Sequence, residues 1–124
     1  MGTRMFKTIT ILLFALISVN VAAQKKPTLT DADTIVMTAK QQIELDLKEG
    51  SAFFEFVEKQ KLVGSFDVDL TINEKGEVVS VFFQKKPDIE IKKLTYFREF
   101  LNEYKFNFKT PKGRKYKFNY QFNF

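Results

Sequence analysis

Tyr116-Lys117-Phe118-Asn119-Tyr120-Gln121-Phe122-Asn123-Phe124 ends the sequence with an aromatic residue at every second position. Side chains alternate between the two faces of a β-strand. Tyr116, Phe118, Tyr120, Phe122 and Phe124 therefore share one apolar face, and Lys117, Asn119, Gln121 and Asn123 share the other. This is the pattern of a strand with one side against a core and one side in water.

The same alternation recurs upstream. Between Ser65 and Asn73, Phe66, Val68, Leu70 and Ile72 alternate with Asp67, Asp69, Thr71 and Asn73. Asn73-Glu74-Lys75-Gly76 supplies turn chemistry and a glycine that tolerates a positive φ. Val78, Val79, Val81, Phe82 and Phe83 then carry a returning strand, which predicts a β-hairpin over 65–84. After Lys85-Lys86-Pro87-Asp88, Leu94, Phe97, Leu101 and Tyr104 recur at three- and four-residue steps, joined by Ile91 and Phe100. That stripe predicts a helix over 89–104, capped by Asp88, lying on the sheet. Lys105 to Lys109 and the turn Thr110-Pro111-Lys112-Gly113 lead into the terminal strand.

N-terminal to the hairpin, Gly50-Ser51 breaks the pattern. Phe53, Phe54, Phe56 and Val57 then predict a short amphipathic helix ending near Gly64. Residues 34–49 satisfy two periods. Val36, Lys40, Ile43 and Leu47 have helical spacing, whereas Ile43, Leu45 and Leu47 alternate, and a strand over 43–47 is the preferred reading. Strand, strand, helix, strand, with the helix on one face of a small antiparallel sheet, defines an α+β domain.

At the other end, Arg4 and Lys7 precede an acid-free apolar run of about 12 residues from Thr8 to Val19, then Asn20-Val21-Ala22-Ala23-Gln24. This describes a secretory signal over residues 1–23, cut after Ala23. The run is short of the roughly 20 apolar residues that span a bilayer; retention as an anchor is the alternative. Residues 24–33, polar and containing Pro27, read as a mobile leader, leaving 34–124 as one domain. Removing Arg4 and Lys7 from the formal charge of +5 leaves a mildly basic mature chain. Such a balance favours solubility and gives no argument for nucleic acid.

Gly64 to Asn73 as a first strand, Gly76-Glu77-Val78-Val79 as a glycine turn, a helix ending at Phe106, then Pro111, Gly113 and a strand closing on Phe122-Asn123-Phe124 resemble the C-terminal domain of TonB-family proteins. The resemblance covers about residues 50–124. It implies a periplasmic domain whose sheet accepts an extended peptide from a partner, usually an outer-membrane transporter, by strand addition. It places the partner site at Lys112, Arg114, Lys115, Lys117, Asn119, Gln121 and Asn123. A second copy pairing through the terminal strand is the other partner such an edge admits. Lys61-Leu62-Val63 stands where the family has a tyrosine-proline step, and the family's long proline-rich spacer is missing. The expectation is therefore a stand-alone binding domain in the periplasm or secreted, without a stable membrane anchor once the signal is cut.

The alternative built on the same strand is a small oligomeric β protein of the outer membrane, since such barrels often finish on phenylalanine. Eight strands of about 9–11 residues are needed for the smallest barrels, more than this chain offers. An enzyme is not expected. Histidine and cysteine are absent, removing the commonest base, nucleophile and metal ligands. Asp67 and Asp69 sit where the alternation demands polar residues, and no phosphate or calcium loop is present. No cofactor or metal is expected. Lys105, Lys109, Lys112, Arg114, Lys115 and Lys117, interleaved with Phe106, Phe108 and Tyr116, suit acidic glycans, anionic headgroups or an acidic peptide better than nucleic acid. Otherwise they form a solvated face that discourages edge-to-edge aggregation.

Overall fold

Strand β1, Ser65–Ile72, is the axis of the structure, a computed structural model that describes residues 26–124. The expected signal lies outside these residues. Phe66, Val68, Leu70 and Ile72 are all within 1% of complete burial, as their alternation requires. β1 pairs antiparallel with β2, Val78–Phe83, on one side and with β3, Tyr116–Asn123, on the other, giving the order β2-β1-β3. The β1–β3 register runs without a break from Ser65 opposite Asn123 to Ile72 opposite Tyr116. The β1–β2 register shifts between Thr71 and Ile72, leaving Val79 as the extra residue of a bulge.

The hairpin turn is built by Asn73, whose Oδ1 accepts from the N–H groups of Lys75 and Glu77, both at 3.0 Å. Gly76 sits at φ +76° and is buried beneath the 106–108 segment. A Cβ there would drive into the carbonyl oxygen of Phe108 and lie 3.2 Å from that of Phe106. Gly76 thus serves both the turn and the close approach of another backbone.

Three helices cover the apolar face: α1, Ala32–Asp46; α2, Ala52–Gln60; and α3, Ile91–Glu103. α1 lies over β3 and against α2, and α3 lies over β2. The strand expected over 43–47 is instead the last turn of α1. Ile35, Ala39 and Ile43 are its buried positions, whereas Leu45 is 59% exposed. Spacing of four residues gives one inward stripe, and it outweighs a three-residue alternation whose middle member faces water. Among the described residues two helices, not one, therefore precede the sheet. α1 starts inside the segment expected to be a mobile leader, capped by Asp31, which accepts from the N–H of Thr34 at 2.9 Å. Thr28 also pairs with Lys109 in a parallel bridge, so the leader is tied down from at least that point.

α2 begins where Ser51 predicts, with Ser51 Oγ accepting from the N–H of Phe54 at 3.2 Å. α3 starts later than expected. Its N-cap is Glu90, with no side-chain cap bond, so Asp88 does not cap it.

Phenylalanine supplies the largest side chains of the core, beside aliphatic residues of β1 and the helices. Phe97 of α3 meets Phe66 at 5.2 Å between ring centroids and Phe122 at 5.4 Å, both edge-to-face. Phe53 of α2 meets Phe100 at 4.8 Å and Phe122 at 5.7 Å. Such pairs contribute about 0.5–1.5 kcal/mol each beyond their buried area. Phe122 thus joins all three layers of the packing: sheet, α2 and α3.

Gly76→Ala is expected to lower unfolding free energy by roughly 3 kcal/mol, combining a left-handed backbone with a backbone clash. Gly113, at φ +75° with nothing within 4 Å of a built Cβ, gives the control: Gly113→Ala costs about 1 kcal/mol for the backbone alone. Urea titrations followed by circular dichroism check the order, and equal losses would show that the close approach at Gly76 carries no strain.

Candidate functional site

β3 is an edge strand. Among the described residues no segment other than β1 pairs with it. Its ladder phase follows from its last residue. Gly64 N–H donates to the Phe124 carbonyl at 3.1 Å and Phe124 N–H donates to the Gly64 carbonyl at 2.9 Å. Bonded pairs recur at every second residue of an antiparallel ladder, so Phe122, Tyr120, Phe118 and Tyr116 also bond inward to β1. The main-chain N–H and C=O groups of Lys117, Asn119, Gln121 and Asn123 therefore point away from the sheet, along an edge of about 27 Å. The opposite edge is less open. At the start of β2, Phe106 N–H donates to the Gly76 carbonyl at 2.9 Å, and Glu77 bridges to Lys105.

The structure places the seven expected site residues in two groups. Lys117, Asn119, Gln121 and Asn123 are exposed on the wet face of β3, and Lys112, Arg114 and Lys115 are exposed in the approach to it. No acidic residue follows Glu103 in the sequence, so this strand and its approach are purely basic.

The wet-face side chains are already engaged across the sheet. Asn119 Nδ2 donates to Asp69 at 3.0 Å and also to Asp67. Gln121 donates to Ser65 Oγ at 2.9 Å, and Ser65 Oγ donates to Asn123 Oδ1 at 2.9 Å. Gln84 of the outgoing β2 end donates to Asp69, and Lys117 Nζ lies 3.7 Å from the same carboxylate. Asp69 is only 7% exposed although it sits on the open face. The shielding comes from these neighbouring side chains rather than from depth. The Asn119 donor, then Gln84 and the Lys117 charge, hold its carboxyl below the usual carboxylate range against the opposing effect of burial. A sequence reading that took Asp67 and Asp69 as solvated residues missed this network. Its signal was present in the opposed polar residues of two paired strands.

On the other face, α1 overlies β3. Burial and the nearby Glu44 carboxylate raise the Tyr120 hydroxyl above its ordinary value. Tyr104 is raised much further, by burial first and then by donating its hydroxyl to Asp46, an α1 residue. Gln42 donates to the Tyr104 oxygen at 3.2 Å and accepts from the Asn107 N–H at 2.8 Å. These bonds fix α1 to the chain leaving α3, and so fix the helix that covers the edge strand. At the far end of β3, Leu47, Phe54, Val57, Leu62 and Phe124, with Glu58 and Asn123 at polar positions, line a mostly apolar cleft of about 280 Å³. Sequence reasoning did not find it, because its walls come from three separate stretches of chain.

The depressed Asp69 value contributes stability that is complete above its unfolded value of about 3.9 and is lost as pH falls through the lower folded value. Asp69→Asn is expected to lower the thermal midpoint at neutral pH and to flatten its decline below about pH 4. Melting curves at stepped pH check this, and an unaltered acid decline would remove Asp69 from the network's energetics.

Compared with protein-family models, with curated proteins and with solved structures, the chain matches none.

Proposed function

We propose that this chain is an exported, non-catalytic binding domain that recognises an extended peptide of a protein partner by strand addition to β3. The observation that carries the reading is the row of outward main-chain groups at Lys117, Asn119, Gln121 and Asn123, which follows from the Gly64–Phe124 bond pair. An incoming strand satisfies those donors and acceptors directly, and main-chain bonding gives affinity with little demand on partner sequence. The side chains of the same residues are spent on β1, so they hold the edge flat and in register rather than reach for the partner.

Selectivity then falls to the ends of the edge. Lys112, Arg114 and Lys115 attract an acidic segment at one end, chiefly by raising the rate of encounter. In this reading the setting is the periplasm, the partner an envelope protein such as an outer-membrane transporter, and the domain a relative in function of the TonB C-terminal type. An uncovered edge invites indiscriminate pairing, and the basic approach limits it by keeping like copies apart.

Proline substitution separates binding from folding. Asn119→Pro and Gln121→Pro each remove an outward N–H and leave the β1 ladder donors in place, so partner capture from envelope extract is expected to disappear while the circular dichroism spectrum is kept. Tyr120→Pro removes an inward donor and is expected to cost the fold itself. Lys112→Glu with Arg114→Glu should slow association and leave the melting temperature unchanged. Capture that survives both the outward prolines and the charge reversal would exclude this edge as the binding site.

A further inference from the structure

Beside the approach to β3, three segments distant in sequence meet around a second concave feature. Lys109 N–H donates to the Pro27 carbonyl at 2.8 Å, and Leu29 N–H donates to the Lys109 carbonyl at 2.8 Å. Thr110 N–H donates to the Glu74 carbonyl at 2.9 Å, and Thr110 Oγ1 donates to that of Asn73 at 3.2 Å. These bonds, made by main-chain groups and the Thr110 hydroxyl, hold the N-terminal segment, the β1–β2 turn and the 109–112 stretch around a hollow of about 600 Å³. Lys75, Lys109 and Lys112 line it, with Thr28 and the largely buried Thr110.

Nothing in the packing asks for lysine at these three places, since all three side chains are exposed and the bonds that build the hollow are made by backbone groups and the Thr110 hydroxyl. Among the described residues none of the three has a carboxylate within 4 Å, the one ion pair being that of Lys117 with Asp69. Glu74 is the only acid in the lining. Three ammonium groups gathered on one concavity repel one another, and a multivalent anion relieves that repulsion. Lysine is a compact point charge with three rotatable donors and a common binder of phosphate oxygens. The size of the hollow exceeds what one small ion fills.

We propose that Lys75, Lys109 and Lys112 form a binding site for a ligand carrying two or more phosphate groups. The site shares Lys112 with the approach to β3, and the inference does not rest on the edge reading, because Lys75 and Lys109 lie outside that edge.

Inorganic pyrophosphate titrated into the ¹⁵N-labelled full chain at low salt is the direct probe. Saturable shifts confined to residues around 28, 74–76 and 109–112 are expected. Lys75→Gln with Lys109→Gln should weaken binding about tenfold, the loss of two charge-assisted contacts. Glu74→Gln should strengthen it severalfold by removing the opposing charge, a gain that a misfolded variant cannot imitate. Shifts scattered over all surface lysines, or equal affinity in the double variant, would overturn the proposal. Sedimentation with cardiolipin vesicles, whose headgroup carries two phosphates, against phosphatidylcholine vesicles separates the sources. Retention on the anionic vesicles that pyrophosphate competes away identifies a lipid headgroup, and pyrophosphate binding without vesicle retention identifies a free phosphorylated ligand.

Discussion

The pairing of β1 with β3 is the interaction on which the rest of the structure depends. Among the described strands β1 alone is bonded on both sides, and it holds together the two strands, β2 and β3, on which α3 and α1 lie. β3 joins it from the far end of the chain, with Phe66 opposite Phe122 across some fifty residues of sequence. Phe122 then reaches Phe53 of α2 and Phe97 of α3. Without β3, β1 keeps only its hairpin partner, and a two-stranded hairpin is marginal in water. α1, which packs on β3, loses its seat as well.

Much of this fold could be read from residues alone where the physics is local. Period-two alternation places β1 and β3 on the correct faces, and Asn73 and Gly76 specify the turn between β1 and β2. Ser51 announces α2, because an N-cap requires only a side-chain oxygen and the next three residues. α1 was harder to read. Ile43, Leu45 and Leu47 satisfy a strand pattern, and Val36 with Lys40 set the helical stripe one residue out of phase. Only the tertiary seat under Ile35, Ala39 and Ile43 decides between them. Asp88 fails as a cap for a related reason: Pro87 and the exit from β2 delay the helix until Ile91.

The candidate edge was legible as a strand from its alternation, and its place at the sheet edge was expected only through the family resemblance. Strand order is a long-range property, fixed here by the fact that β1 rather than β3 takes the central place. The side chains of Asn119, Gln121 and Asn123 were chosen from sequence as partner contacts. Their cross-strand bonds to Ser65, Asp67 and Asp69 give them a different duty, and the main chain becomes the part of β3 that is free. The shift of emphasis from side chain to backbone is a consequence of pairing two strands whose polar faces match rung for rung.

The bond pair between Gly64 and Phe124 has a consequence in time. The two residues that lock the central strand lie about 60 positions apart, with the hairpin and α3 between them. Helices form early and locally, but a contact of that separation forms late, because the loop between its ends must first be closed. Until then β1 is paired on one side only, and the edge it later gives to β3 stays open to any other strand.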